Sequence, residues 1–67
     1  MRKLSLREIE IINHTAYGFT AKEIARIVGL EPRTVEAYMS NIKKKLGAKN
    51  AAHAICIALK ASVINLA

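Results

Sequence analysis

Cysteine, histidine and aromatic residues are scarce in this chain. One cysteine and two histidines exclude a disulfide framework and a zinc site built from cysteine and histidine. No apolar run approaches the roughly 18 residues that cross a membrane. We therefore expect a cytoplasmic protein with no membrane partner, no cofactor and no metal. In that reducing setting, Cys56 is predicted to be a small buried hydrophobic residue.

The apolar residues are aliphatic. Hydrophobic residues make up 52% of the 67 positions, but aromatic residues only 4%. Such a short chain buries about 60% of the surface that its unfolded form exposes, so its core must be simple. Because Ile, Leu, Val and Ala fill the seams between helices well, we predict an all-α fold with one domain over residues 1–67.

Cap residues divide the chain into four helices. Ser5 with Glu8, and Thr20 with Glu23, have the spacing of capping boxes. Pro32 suits the first turn of a third helix, and Asn50 is a good N-cap for a fourth. Glycines follow the first three segments and are natural helix ends. The predicted helices cover residues 6–17, 21–28, 32–46 and 51–65.

Helical spacing predicts which side chains are buried. In the first helix the buried stripe is Leu6, Ile9, Ile12 and Ala16, with Ile11 beside it. In the second it is Ile24, Ile27 and Val28. In the third, one face contains Val35, Met39, Ile42 and Leu46, and the opposite face contains Arg33, Ala37, Ser40 and Lys44.

The short second helix, a turn with glycine and the longer third helix have the form of a helix-turn-helix, whose second helix enters the major groove of DNA. An ordinary helical hairpin is the plainer interpretation. Eleven basic residues against five acidic ones favour a phosphate-binding surface. The run Lys43 to Lys45 can equally be a solvated helix end, but its position beside a small, polar face favours DNA reading.

Four blocks of sequence then carry a specific resemblance. They are Leu4-Ser5-x-Arg7-Glu8-x-Glu10-Ile11-Ile12, Lys22-Glu23-Ile24-Ala25, Arg33-Thr34-Val35 and Asn41-Ile42-x-x-Lys45-Leu46-Gly47. In this order they resemble the signature of LuxR-type helix-turn-helix domains over nearly the whole chain. The resemblance implies a four-helix, sequence-specific transcription regulator that binds double-stranded DNA as a dimer. The end of the chain resembles the quorum-sensing members of that family.

The resemblance also implies site residues. Base reading falls to Glu36, Ala37 and Ser40, with Arg33 and Thr34 nearby, and phosphate contacts fall to Thr20, Lys22, Lys43 and Lys44. Glu36 stands where the family usually has lysine. It can accept a hydrogen bond from a cytosine amino group, pair with Arg33 within the helix, or weaken DNA binding, and these three interpretations stay open.

The fourth helix is predicted to be apolar on two sides. One stripe consists of Ile55, Leu59 and Leu66. Almost opposite lie Ile57 and Ile64, which would be exposed to solvent in a monomer. A symmetric partner would bury this second face. We therefore expect a homodimer through Ile57 and Ile64, with His53 and Lys60 at the rim, an interface that the resemblance also implies.

Two other classes of function were weighed. An interaction protein, or anti-activator, would pair with full-length LuxR-type regulators without strong DNA binding of its own, and Glu36 motivates that alternative. An enzyme is disfavoured, because the sequence has no glycine-rich phosphate loop, and His14 and His53 form no credible triad with Cys56. We predict no catalytic residues.

Overall fold

A computed structural model describes residues 3–66 of the chain. Within that range all regular structure is helical, which confirms the predicted all-α class with four helices. The second and third helices have the predicted bounds, and the first and fourth are shorter than expected. The helices are α1 (Leu6–Ala16), α2 (Ala21–Val28), α3 (Pro32–Leu46) and α4 (Ala51–Lys60).

Both predicted capping boxes are present. The Ser5 hydroxyl accepts a hydrogen bond from the Glu8 amide at 3.1 Å, and the Glu8 carboxylate accepts one from the Ser5 amide at 2.8 Å. Thr20 and Glu23 repeat the arrangement at 3.2 and 2.8 Å. Each box satisfies two amide groups that a helix start otherwise leaves without a partner. Asn50 caps α4 by accepting from the His53 amide at 2.8 Å.

The turn between α2 and α3 is tight because Gly29 takes a left-handed conformation, with φ of 75°. The next amide, that of Leu30, then reaches back to the Ala25 carbonyl at 2.9 Å. Pro32 occupies the first turn of α3, where its missing N–H leaves no bond unmade. The chain therefore leaves α2 and enters α3 within three residues.

The buried side of α1 differs from the predicted stripe. Leu6 is 86% exposed, whereas Ile11 and Ile12 are fully buried and Glu8 is almost fully buried. The prediction that Leu6 faces the core was wrong because α1 turns Glu8 inward, where the Lys45 amine meets it. Since Leu6 lies about 200° around the helix from Glu8, it must then face water.

The prediction of which α2 side chains are buried was also partly wrong. Ile24 is buried as expected, but Ile27 is 53% exposed and Ala25 is buried in its place. Small Ala25 lets α2 lie close to its neighbours, and Ile27 points away from them. Within residues 3–66 the buried core consists of Leu4, Ile11, Ile12, Ile24, Ala25, Val35, Ile42, Leu46, Ala54, Ala58 and Ile64.

α4 ends five residues before the predicted limit. Ser62 adopts φ of 57°, the left-handed conformation that usually falls to glycine. The amide of Ser62 donates to the Leu59 carbonyl at 3.1 Å, and that of Val63 donates to the Ala58 carbonyl at 2.9 Å. This pair of bonds is a Schellman motif, which closes the helix and reverses the chain. Ile64 is thereby turned into the core.

α3 lies at the centre of the arrangement and contacts each of the other three helices, while α1 contacts all of them as well. α2 and α4, both fully described, do not contact each other. The helices form a body of about 28 × 26 × 19 Å. The exposed sides of α2 and α4 therefore belong to separate parts of the surface.

Candidate nucleic-acid interface

The two faces of α3 are separated as the sequence predicts. Val35, Ile42 and Leu46 are buried and Met39 is partly buried. The opposite face is exposed along its whole length and consists of Arg33, Ala37, Ser40 and Lys44. We call these four residues the outer face. Its central side chains are small, so the helix backbone can approach another molecule closely.

Two polar side chains stand at the edges of the outer face. Thr34 and Glu36 are both exposed and lie on opposite sides of it. Of the ion pairs formed within residues 3–66, none involves Glu36. The interpretation in which Glu36 pairs with Arg33 is therefore not the arrangement of this structure. Both side chains keep their hydrogen-bonding groups available for a ligand.

The lysine run at the end of α3 divides into two roles. Lys44 is exposed and Lys43 is partly exposed, and neither forms an ion pair. Lys45 instead points to α1, where its Nζ donates to Oε1 of Glu8 at 2.7 Å. Two of the three lysines thus remain available beside the outer face, and the third ties α3 to α1.

The contact with Lys45 lowers the pKa of Glu8. Burial raises the pKa of the carboxyl, but the hydrogen bonds from Lys45 and Ser5 and the positive charge of Lys45 lower it by more. The net pKa lies below the ordinary value of 4.5. Glu8 is therefore a carboxylate at neutral pH, and a negative charge lies almost buried beneath the end of α3.

α2 contributes a second set of polar groups. Lys22 is exposed and unpaired. The Thr20 hydroxyl accepts from the Glu23 amide at 3.2 Å. The two hydrogen bonds from Thr20 to Glu23, led by that of the backbone amide, hold the pKa of Glu23 below its usual value. The predicted phosphate-binding residues of α2 are thus exposed at the start of that helix.

Arg26 is a further exposed cation that the sequence analysis did not select. It lies four residues after Lys22 on the same side of α2, and it forms no ion pair. Asn41, exposed and four residues after Ala37, was also missed. In both cases helical spacing from a selected residue is a signal that would have found it.

The predicted dimer surface of α4 needs correction. Ile64 lies beyond the end of α4 and is only 3% exposed, so its placement on an exposed face was wrong. Ile57 is partly buried and packs against the core. His53 is partly exposed, and its Nδ1 accepts from the Lys49 amide at 3.0 Å. Lys60 is exposed as expected.

The side of α4 that does face outward contains Ala52, Cys56, Leu59 and Lys60. We call these four residues the α4 surface. Cys56 is exposed, so the prediction that it is buried was wrong. The reason is that Ala54 and Ala58 are buried against the core, and Cys56 lies between them on the other side of the helix. Leu59, predicted to belong to a buried stripe, is also exposed.

Residues 3–66 contain no group of three or more His, Cys, Asp or Glu side chains that could hold a metal ion. Over the same residues, no helix is long and apolar enough to cross a membrane.

The family model for the bacterial regulatory proteins of the luxR family matches residues 2–58. The chain belongs to this family. The LuxR-type resemblance in the four sequence blocks is thereby confirmed, and the matched residues include all of α1, α2 and α3. The luxR family is one of transcription regulators and not an enzyme family.

Individual relatives of this LuxR-type domain agree in sequence and fold. The transcriptional activator protein BjaR1 of Bradyrhizobium diazoefficiens is 36% identical over 63 residues, which are 94% of this chain and 26% of BjaR1. The chain spans about a quarter of the length of the curated relatives it matches. The structure of the transcription factor GerE is 28% identical, with a TM-score of 0.93 over 98% of this chain and 100% of that one.

VqmA of Vibrio cholerae is a third comparison, and its structure was solved as a complex with a ligand and DNA. It is 33% identical to the LuxR-type domain, with a TM-score of 0.85 over 94% of this chain and 28% of VqmA. The matched part of VqmA is thus a small portion of a larger chain.

Proposed function

We propose that this LuxR-type domain is the sequence-specific DNA-binding part of a transcription regulator and that it places α3 in the major groove of double-stranded DNA. The observation that carries the proposal is the outer face of α3, which is exposed, small at its centre and bordered by unpaired lysines. An α-helix fits the major groove, and small side chains let it approach the edges of the bases. This function would place the protein in the cytoplasm.

Base reading falls to five side chains of α3. Arg33, Ala37 and Ser40 lie on the outer face, and Thr34 and Glu36 flank it. Arginine reads guanine, serine bonds to several bases, and alanine packs against the methyl group of thymine. Since hydrogen bonds to base edges carry the sequence information, these residues set the preferred DNA sequence.

The phosphate contacts are made by cations and one hydroxyl group on and around the outer face of α3. Lys43 and Lys44 lie in the last turn of α3, while Thr20 and Lys22 lie at the start of α2, and we add Arg26. Contacts from two helices to the DNA backbone would fix how deeply and at what angle α3 enters the groove. The first helix of a helix-turn-helix crosses the DNA backbone in this way.

The salt dependence of binding tests the phosphate contacts. In fluorescence anisotropy titrations of duplex DNA, each lost phosphate contact should flatten the slope of log K against log salt by about 0.9. We expect Lys22→Ala and Lys44→Ala each to flatten it while leaving the preferred sequence unchanged. Arg7→Ala, which removes the same charge from α1, is the matched control and should not change the slope. An unaltered slope in both lysine variants would contradict the docking.

We also propose that the domain acts as a homodimer through the α4 surface. Leu59 and Cys56 expose an apolar and a weakly polar group there, with Lys60 and His53 at the rim and Ile57 beside it. VqmA, with the same fold, is described as a dimer. A two-fold dimer would recognise two half-sites about one turn of DNA apart. α4 does not contact α2, so dimer formation would leave the phosphate-binding residues of α2 accessible.

Chemical cross-linking tests this dimer. Cys56 is the chain's single cysteine, so a short bis-maleimide should join two chains only where the α4 surfaces meet. Leu59→Lys should abolish the cross-linked dimer and leave a folded monomer in sedimentation. Leu6→Lys changes another exposed leucine, on α1, and should have no effect. Efficient cross-linking of Leu59→Lys would show that Leu59 is not part of the interface, and a wild-type dimer that does not cross-link would place the interface elsewhere.

Longer regulators of the same family are further candidate partners, because a bare domain can pair with them through the same α4 surface. We include the quorum-sensing regulators among these candidates. The anti-activator alternative needs a reason for the outer face of α3 not to bind DNA, and that face is fully exposed. DNA binding is therefore the function that the geometry supports best.

A further inference from the structure

Glu36 is an acidic side chain in a position where the proposed function needs contact with DNA. It is exposed at the edge of the outer face, one turn after Arg33 and one turn before Ser40. No described residue forms an ion pair or a hydrogen bond with its carboxylate. Its oxygens can therefore accept hydrogen bonds only from water or from a bound molecule.

The position of Glu36 relative to Arg33 restricts which base pairs the two side chains can contact. Residues three apart on a helix have Cβ atoms about 5–6 Å apart, which is less than two base-pair steps of about 3.4 Å each. Arg33 is also exposed and unpaired. When α3 lies in the groove, the two side chains can therefore reach the same base pair or two adjacent ones. Small Ala37 and Ser40 allow the helix to come close enough for both.

The chemistry of the base edges then selects the partner. A carboxylate only accepts hydrogen bonds, and the donors in the major groove are the amino groups of cytosine and adenine. Next to the adenine amino group lie two acceptors, N7 of adenine and O4 of thymine, which repel a carboxylate. The cytosine amino group has an acceptor on one side only, the O6 of its paired guanine, and that acceptor suits Arg33.

We infer that these two oppositely charged side chains each bind one base: Glu36 selects a cytosine, and Arg33 binds a guanine in the same or the adjacent base pair. This inference rests on the proposed DNA-binding function. A carboxylate also repels phosphates, so Glu36 weakens binding wherever no amino group meets it. The residue thus discriminates twice, by a hydrogen bond to the right base and by repulsion at the wrong ones.

The test compares DNA sequences selected by variants from a duplex library with a random central segment. Glu36→Gln keeps the shape of the side chain but adds donors and removes the charge. Glu31→Gln is the matched control, because it removes the same charge from an exposed residue at the start of the same helix. The wild-type site and its cytosine-to-thymine counterpart are then titrated with each protein by anisotropy.

We expect the wild-type protein and Glu31→Gln to select one shared cytosine per half-site and to bind the thymine counterpart about 10-fold more weakly. Glu36→Gln should lose that preference at this position only, while its binding to unrelated DNA strengthens. If Glu36→Gln selects the same sequence as the wild type, the inference is overturned and the proposed DNA binding stands. The same holds if the substitution changes the preference at a position where the wild type selects a base other than cytosine. A failure of all three proteins to enrich any sequence would refute the proposed function together with the inference.

Discussion

The ion pair between Glu8 and Lys45 provides the most informative single perturbation of this fold. Lys45→Met keeps the length and most of the volume of the side chain and removes its amine. The Glu8 side chain is 6% exposed and the Lys45 side chain 28% exposed, so the variant leaves the less accessible charge without its partner. A carboxylate in that position retains its hydrogen bonding to Ser5, chiefly to the Ser5 amide at 2.8 Å.

The expected cost follows from these exposures. Removing one partner of a fully buried ion pair costs about 3–5 kcal/mol. Because the site has some access to water and Ser5 continues to donate, we expect Lys45→Met to lower the free energy of unfolding by about 2–3 kcal/mol. A chain of this size has a total stability of roughly 3–10 kcal/mol, so the loss should be plain. Glu8→Gln should cost less, since Lys45 can turn to solvent.

The assay is urea unfolding followed by the helical circular dichroism signal at pH 7. Lys44→Met is the matched control, because Lys44 is exposed and unpaired, and its replacement should change the free energy by less than about 0.5 kcal/mol. A cost for Lys45→Met no greater than that of the control would refute the reasoning.

The pH dependence of stability provides a second test of the contact between Glu8 and Lys45. The folded pKa of Glu8 is lowered, so its contribution is complete above the unfolded value of about 4.3 and is lost as the pH falls through the folded pKa. In Lys45→Met the hydrogen bond and positive charge of Lys45 no longer lower the pKa of Glu8, while burial still raises it and Ser5 still lowers it. The loss of stability on acidification should therefore be smaller in the variant than in the wild type.

Other substitutions test the remaining features of the fold by the same unfolding assay. Ser62→Gly should raise the free energy of unfolding by about 0.5–1 kcal/mol, because glycine adopts the left-handed conformation without steric cost; a loss of stability would contradict the assigned turn. Ile64→Ala should cost about 2–4 kcal/mol, whereas Leu6→Ala should stay within about 0.5 kcal/mol; similar effects at the two positions would contradict their different burial.

Features that depend on neighbouring residues could be predicted from the sequence. Ser5 and Thr20 define their helix starts through bonds that span three residues, and Gly29 with Pro32 fixes the turn before α3. The faces of α3 were also predictable, because a long helix with a continuous aliphatic stripe can bury only that stripe. For the same reason the outer face of the candidate site was identified before the structure was known.

Features that depend on distant contacts were not predictable. Glu8 enters the core only because Lys45, 37 residues away, is there to meet it, and this rotates α1 so that Leu6 is exposed. The end of α4 was missed because serine, not glycine, takes the left-handed conformation at residue 62. That turn brings Ile64 into the core, and the dimer surface predicted from helical spacing had to change with it.

The most direct test of the central claim is a map of backbone amide chemical shifts as a ¹⁵N-labelled protein is titrated with its selected duplex. The account predicts that the largest changes occur in α3 from Arg33 to Lys44 and in α2 from Thr20 to Arg26. Residues on the exposed side of α1, such as Leu6 and Glu10, should change little. Large changes at those α1 residues, with α3 unaffected, would contradict the docking of α3 in the major groove.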